Sequence, residues 1–318
     1  MITALAGGVG AARLLRGLVR VVAPTEVTAV VNTGDDTELH GLHISPDLDT
    51  VTYTLAGLND EERGWGLAGE TWGVMDSLDR LGGETWFRLG DRDLATHLFR
   101  TQRLSTGATL SQVTNQITEA LGVSVRLVPM SDDRVRTRLT LLDGPEVSFQ
   151  EYFVGHRHAV AVESLRFAGA EAATPAPGVL SAIADAEVVV VCPSNPIVSI
   201  GPLLAVPGIA DALAARRAQV VAVSPIIAGA ALKGPADRLM AELGHEPTVV
   251  GVARIYAGFV GTLVVDDADA DLADAVEACG VRCVVGPSVM HTPEHAAGLA
   301  SLVLDAVHPS GAARGGRR

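Results

Sequence analysis

The sequence predicts an α/β protein: a Rossmann-like, doubly wound, mostly parallel sheet carrying a small β-rich insertion. Two observations predict it. Short β-branched apolar runs recur along the chain, each giving way to a loop of Gly, Pro, Asn or Ser and then to a stretch of helical periodicity. The runs are also almost continuously apolar, as in Val188-Val189-Val190-Val191. Strands of that kind are buried on both faces, the condition of a parallel sheet covered by helices. The expected strands are Ile2–Ala6, Val27–Val31 and residues 187–192, 219–223, 248–252, 261–265 and 281–285.

Between about residues 125 and 177 the pattern changes. Residues 136–142 and 146–153 alternate polar and apolar side chains around Asp143-Gly144, a tight-turn signal, and predict an antiparallel hairpin. The chain thus divides into a Rossmann-like core in two parts (1–126 and 178–308), an insertion at 127–177 and a disordered tail at 309–318.

The 318 residues carry 24 basic and 37 acidic side chains, a net charge of −13, with 48% hydrophobic and 19% charged residues. That composition supports a sizeable core and excludes disorder over most of the chain. The acidity argues against a nucleic-acid partner, which requires a basic face. No apolar run approaches the roughly 20 residues of a membrane helix. The N-terminal MITALAGGVG has no basic region ahead of a long apolar stretch, so a secretory signal is not expected. Cys192, Cys279 and Cys283 cannot all pair and lack the C-x-x-C spacing, which fits reduced structural residues in a cytoplasmic protein.

In a parallel sheet, ligands collect at the carboxyl ends of the strands, and the chemistry-bearing residues cluster there. Gly7-Gly8-Val9-Gly10 follows the first strand and opens a helix. It is either a phosphate cradle, with Gly8 and Gly10 letting backbone approach the ligand, or a tight βα turn. Arg13 occupies the third glycine position of G-x-G-x-x-G, so the dinucleotide fingerprint is broken. Asn32-Thr33-Gly34-Asp35-Asp36 follows the second strand; adjacent carboxylates repel unless a cation or donors offset them, and magnesium takes such oxygen ligands. In Pro46-Asp47-Leu48-Asp49-Thr50, an extended segment would turn Asp47 and Asp49 to one side. Alternatively Asp49 or Thr50 caps a helix. Asp35, Asp36, Asp47 and Asp49 place four carboxylates within 15 residues.

Further on, Arg88 and Arg92 are candidates to pin a phosphate or carboxylate, the alternative being ion pairs with neighbouring acids, and Asp91 is placed to cap the helix that follows it. Ser194 and Asn195 sit in a proline-fixed loop after the strongest strand, and Lys233 follows the Ser224-Pro225 turn. Trp65, Trp72 and Trp86 fall within 22 residues and form either a hydrophobic cluster or a wall for a flat ring.

Taken in order, Gly7–Gly10, Asn32–Asp36, Pro46–Thr50, Leu89-Gly90-Asp91-Arg92-Asp93, Met130-Ser131-Asp132-Asp133, Pro193-Ser194-Asn195-Pro196 and Ser224-Pro225-Ile226-Ile227 resemble the 2-phospho-L-lactate / phosphoenolpyruvate transferase family of coenzyme F(420) biosynthesis over about 290 residues. Each motif alone is weak; the ordered set is specific. The resemblance implies transfer of a phosphoenolpyruvyl or 2-phospho-L-lactyl group from a guanosine diphospho-activated donor to the deazaflavin alcohol Fo. GMP is released, Mg2+ is the cofactor, and the enzyme is a homodimer. The Ala, Arg, Gly and Val content resembles the actinobacterial branch, whose donor carries enolpyruvate. Under the resemblance, Asp35, Asp36 and Asp47 hold magnesium, and Asp49 positions or deprotonates the Fo hydroxyl, with Asp35 and Asp36 sharing the catalytic role. Arg88 and Arg92 contact the acceptor or phosphate, and Gly8, Gly10, Asn32, Ser194, Asn195 and Lys233 line the nucleotide side. A competing reading is a non-catalytic nucleotide-sugar-binding regulator of the same superfamily.

Overall fold

A computed structural model describes residues 1–307; the expected tail at 309–318 lies outside the described residues. Seven parallel strands form the central sheet: β1 (Ile2–Ala6), β2 (Val27–Val31), β3 (Arg126–Pro129), then, after the insertion, Val188–Val191, Val220–Val223, Thr262–Val265 and Arg282–Val285. Numbering the insertion strands Arg136–Leu141, Glu146–Ser148 and Val162–Ala168 as β4 to β6 makes the last four β7 to β10. The spatial order is β10-β9-β8-β7-β1-β2-β3, and every pairing is parallel. The chain runs outward from β1 to β3, returns to the other side of β1, and runs outward again. The carboxyl ends of β1 and β7 therefore flank the topological switch point, where open α/β sheets bind ligands.

Alternation along β1 divides the core. Ile2, Ala4 and Ala6 pack under helices α1 (Gly8–Val21) and Pro293–Val307, whereas Leu5 faces the opposite layer with Val189, Val191 and Leu203. Ala11, Leu14, Leu15 and Leu18 bury one stripe of α1 while Arg13, Arg16 and Arg20 stay toward its other face. Each fully buried Leu or Val side chain contributes about 1.5–3 kcal/mol.

Three elements depart from the sequence expectation. Residues 248–252 are not a strand: Thr248 caps the helix Val249–Tyr256, its hydroxyl accepting from Gly251 N at 3.2 Å. Val249, Val250, Gly251, Val252, Ala253 and Tyr256 are all buried, so the helix hides within a run as continuously apolar as a strand's. The sheet instead gains β3, where Arg126 and Pro129 bracket only two apolar residues and leave no run to stand out; it straddles the expected boundary at 126/127 and pairs with β2. The insertion is a three-stranded antiparallel sheet, β5-β4-β6. Its β4–β5 hairpin forms around the expected turn, with Asp143 at positive φ, but the second strand ends at Ser148 and residues 151–155 turn helical rather than alternating to 153 as expected.

Candidate active site

A cavity of about 870 Å³ opens at the switch point. The turn after β1 (Gly7–Gly10), Asp35 after β2, the start of α2 (Pro46–Leu55) and the Pro193–Ser199 segment after β7 converge on it, and the insertion closes one side with Phe149, Gln150 and Phe153. Of the residues predicted from sequence, Gly8, Gly10, Asp35, Asp47, Asp49, Arg88, Ser194, Asn195 and Lys233 line it; Asn32, Asp36 and Arg92 do not.

The glycines serve different ends. Gly8 begins α1 at φ +72, the left-handed region that glycine enters at no steric cost. A side chain at Gly10 would meet the Pro193 carbonyl oxygen at 2.1 Å, so that glycine lets the two loops close against each other. Ser194 Oγ ties the same loops by donating to Gly7 O at 2.8 Å. Asn195 Oδ1 accepts from Ile197 N and Val198 N, which fixes the Pro193–Ser199 segment.

Pro46 and Ser45 start α2 at residue 46, so Asp47 and Asp49 lie in its first turn. Two helical residues apart, they point about 200° apart, and the side-by-side arrangement expected of an extended segment does not form. Asp47 faces the glycine turn and accepts from Asn32 Nδ2 at 2.9 Å. Asn32 is fully buried; it also accepts from Gly34 N at 2.8 Å, so it holds Asp47 from behind the cavity wall. Burial, with the neighbouring Asp36 charge adding and the Asn32 bond opposing, pushes Asp47 up to about 7. Asp35 beside it is raised well above the usual carboxylate range by burial and by the Asp47 and Asp36 charges. Among the described residues, Asp35 Oδ1 is buried with no hydrogen-bond partner. A pair of buried carboxylates that repel each other, one with an orphaned oxygen, fits an oxygen-ligated divalent cation such as magnesium. Asp36 is turned aside, its Oδ2 accepting from Ser45 Oγ at 2.8 Å and lying 2.9 Å from His43 Nε2.

Asp49 points the other way, into a buried polar cluster that the sequence reading missed. Arg100, 2% exposed, grips both its oxygens. His97 sits between Asp49 (Nδ1 to Oδ2, 3.7 Å) and Asp93 (Nε2 to Oδ2, 3.4 Å), and Tyr53 donates to Asp93 at 2.6 Å. Burial lifts the Asp49 carboxyl above its ordinary value against the pull of Arg100 and His97. Asp49, Asp93 and His97 are close enough for one ion to bridge. Arg100 already neutralises Asp49, however, whereas among the described residues no cationic side chain pairs with Asp35 or Asp47, so the stronger demand for a cation lies with Asp35 and Asp47. The missed signal was available: Asp93, His97 and Arg100 follow i, i+4, i+7 spacing on one face of the helix Asp93–Ser105.

Asp91 does not cap that helix. It accepts from Gly73 N and Val74 N at the start of another one, Gly73–Arg80, while Glu70 accepts from Arg92 N and Asp93 N. Arg92 bonds Ala68 O outside the cavity. Arg88 lies over Trp72 at 4.6 Å, 3.5 Å from Asp76, with its side chain half exposed. Trp65 and Trp86 line the cavity; Trp72 stacks edge-on behind Trp65 at 6.0 Å.

The chain is similar to known proteins along nearly its whole length. The family model described as 2-phospho-L-lactate transferase CofD matches residues 2–282. A "Phosphoenolpyruvate transferase" of Kitasatospora aureofaciens is 50% identical over 309 residues, covering 95% of this chain and 96% of that protein. Proteins of the same description from Streptomyces griseus (47%, covering 96% and 97%) and Mycolicibacterium smegmatis (42%, covering 96% and 98%) are similar along their whole length. A crystal structure from Bacillus halodurans, described as a member of the UPF0052 family, shares the fold with a TM-score of 0.60 at 17% identity over 95% of this chain and 98% of that one.

Proposed function

The chain belongs to the 2-phospho-L-lactate transferase CofD family and is a transferase; from that premise we propose that it moves a phosphoenolpyruvyl, or 2-phospho-L-lactyl, group from a guanosine diphospho-activated donor to the hydroxyl of the deazaflavin Fo, releasing GMP. The product is the (dehydro) form of coenzyme F(420)-0. The observation that carries the reading is the acidic wall of Asp35 and Asp47 facing the first turn of α1 at the switch point.

A helix N-terminus attracts phosphate oxygens, whereas the two carboxylates would repel them. Asp35 and Asp47 would hold magnesium, which when bound screens that repulsion and neutralises charge on the diphosphate. The turn of Gly8 and Gly10 and the Ser194–Asn195 loop would hold the diphosphate and nucleoside, with Lys233 adding a cation. Lys233 lines the cavity and lies close to the Gly64 turn. Trp65 and Trp86 would wall the deazaflavin ring, and Arg88 would contact the acceptor. Asp49, fixed by Arg100, would orient the acceptor hydroxyl and take its proton as oxygen bonds to the phosphorus distal to guanosine and the bond to GMP breaks. Group transfer of this kind depends on positioning and charge neutralisation, not on a covalent nucleophile. Asn32, Asp36 and Arg92 support wall residues in this account and do not touch substrate. The expected homodimer and cytoplasmic location belong to the same reading; among the described residues no single helix is long and apolar enough to cross a membrane.

The test is incubation of purified protein with Fo, magnesium and each chemically prepared donor, with products identified by mass. Fo gaining the phospho-acid unit alongside GMP is the expected result. Tight binding of a UDP-sugar with no affinity for Fo would instead favour the regulator.

A further inference from the structure

Arg13, the residue that interrupts the glycine fingerprint, has a place of its own. Val9, Arg13 and Arg16 share one face of α1 at i, i+4, i+7, and Thr50 and Thr54 share one face of α2. Between these two ridges lies a side pocket of about 140 Å³, covered by the Asn59–Gly66 turn and His291. It opens directly off the main cavity, since Val9, Arg13, Thr50, Trp65 and His291 line both. At roughly 30 Å³ per water-sized group, it has room for about five heavy atoms, too few for a nucleoside.

Its charge is unbalanced in the opposite sense to the acidic wall. Arg13 has no hydrogen-bond, ion-pair or ring partner among the described residues. Arg16 spends one guanidinium nitrogen on Glu61, and its Nε is buried without a partner. Two guanidiniums thus face one carboxylate, in a chain whose net charge is −13. A guanidinium fork matches a carboxylate bidentately, and the Trp65 ring offers an apolar wall beside it. The pocket begins one turn, about 5.4 Å, along α1 from the end where the diphosphate would sit.

We propose that this side pocket is the subsite for the small acid carried by the donor, with Arg13 gripping its carboxylate. Donors ending in a three-carbon acid are thereby selected over nucleoside diphosphates that lack one. The inference rests on the transferase reading and names which part of the donor the chain inspects.

Calorimetric titration separates the two. Wild type and Arg13→Gln are each titrated, with magnesium and without Fo, with GDP and with the lactyl-diphosphoguanosine donor; Arg13→Lys serves as the charge-retaining control. Wild type is expected to bind the acid-bearing donor about 10- to 100-fold more tightly than GDP, the worth of one charge-assisted contact. Arg13→Gln should erase that preference while holding GDP affinity within about 2-fold, which also shows that the variant is folded. Arg13→Lys should keep part of the preference. Equal loss of GDP and donor affinity in Arg13→Gln would overturn the inference by assigning Arg13 to the diphosphate, as would no loss of either. Wild type binding both ligands equally would overturn the pocket alone; wild type binding neither would overturn the transferase reading itself.

Discussion

Asp47 and Asp49 stand two residues apart in the first turn of one helix and live in opposite electrostatic surroundings. Asp47 and its neighbour Asp35 face the cavity with no cation beside them among the described residues, both raised by burial and by the Asp36 charge and Asp35 also by Asp47, with one Asp35 oxygen orphaned. Asp49 is gripped by Arg100 and continued by His97, Asp93 and Tyr53 into a buried polar cluster with a guanidinium built in. Equal burial therefore has two meanings. A buried acid with a built-in counter-charge is a scaffold for placing an oxygen atom; a buried acid without one is waiting for an ion.

Breaking the paired side should cost the most. Arg100→Met leaves Asp49 and Asp93 buried without their guanidinium, and urea denaturation should show a loss of about 3–5 kcal/mol, with turnover falling alongside. Unchanged stability would show that Arg100 is not the counter-charge that holds Asp49 in place. On the unpaired side, Asp47→Asn should behave inversely: turnover falls about 10²- to 10³-fold, while the melting temperature at pH 8 holds or rises because a costly buried charge has gone. Asp49→Asn should lower kcat with little change in the affinity for GDP. A variant with full turnover would remove Asp49 from the reaction.

The two sides also differ in how they respond to pH. Asp47 holds a proton in the folded chain up to about 7, whereas in the unfolded chain it titrates near 3.8. Across that window the folded state binds the extra proton, so in metal-free buffer this group makes stability fall as pH rises. Magnesium, competing with that proton, should raise the melting temperature more at pH 8 than at pH 5.5, and a scan in each buffer checks it. The smallest effect is expected at the rim: Trp65→Ala should raise KM for Fo by about 2- to 10-fold and leave kcat nearly intact.

How much of this is written in the sequence follows from the range of each interaction. The strands of the central sheet announce themselves because burial on both faces demands an unbroken apolar run; β3 escapes notice because Arg126 and Pro129 cut its run to two residues. Residues 248–252 mislead because Val and Thr serve a helix whose burial comes from packing, with only the cap at Thr248 to signal it. The turns at residues 7–10, 32–36 and 193–199 can be read as site elements because they follow strands, and topology then brings them together. What cannot be read is the orientation of side chains within a turn. That α2 begins at residue 46 turns Asp47 and Asp49 to different sides, and that Asp49 then meets a guanidinium 51 positions away while Asp47 faces the cavity is settled only by the fold. Asp91 capping a helix 17 residues upstream is the same lesson.

The central claim is that the acidic pair at the mouth of α1 is completed only by a divalent ion together with a diphosphate. Titration of GDP into wild type and into the Asp35→Asn/Asp47→Asn double variant, each in magnesium and in EDTA, tests it directly. Wild type should bind at least about 10-fold more tightly with magnesium, and the double variant should be indifferent to the metal. Tight binding of GDP to wild type in EDTA, or an undiminished magnesium effect in the double variant, would contradict it.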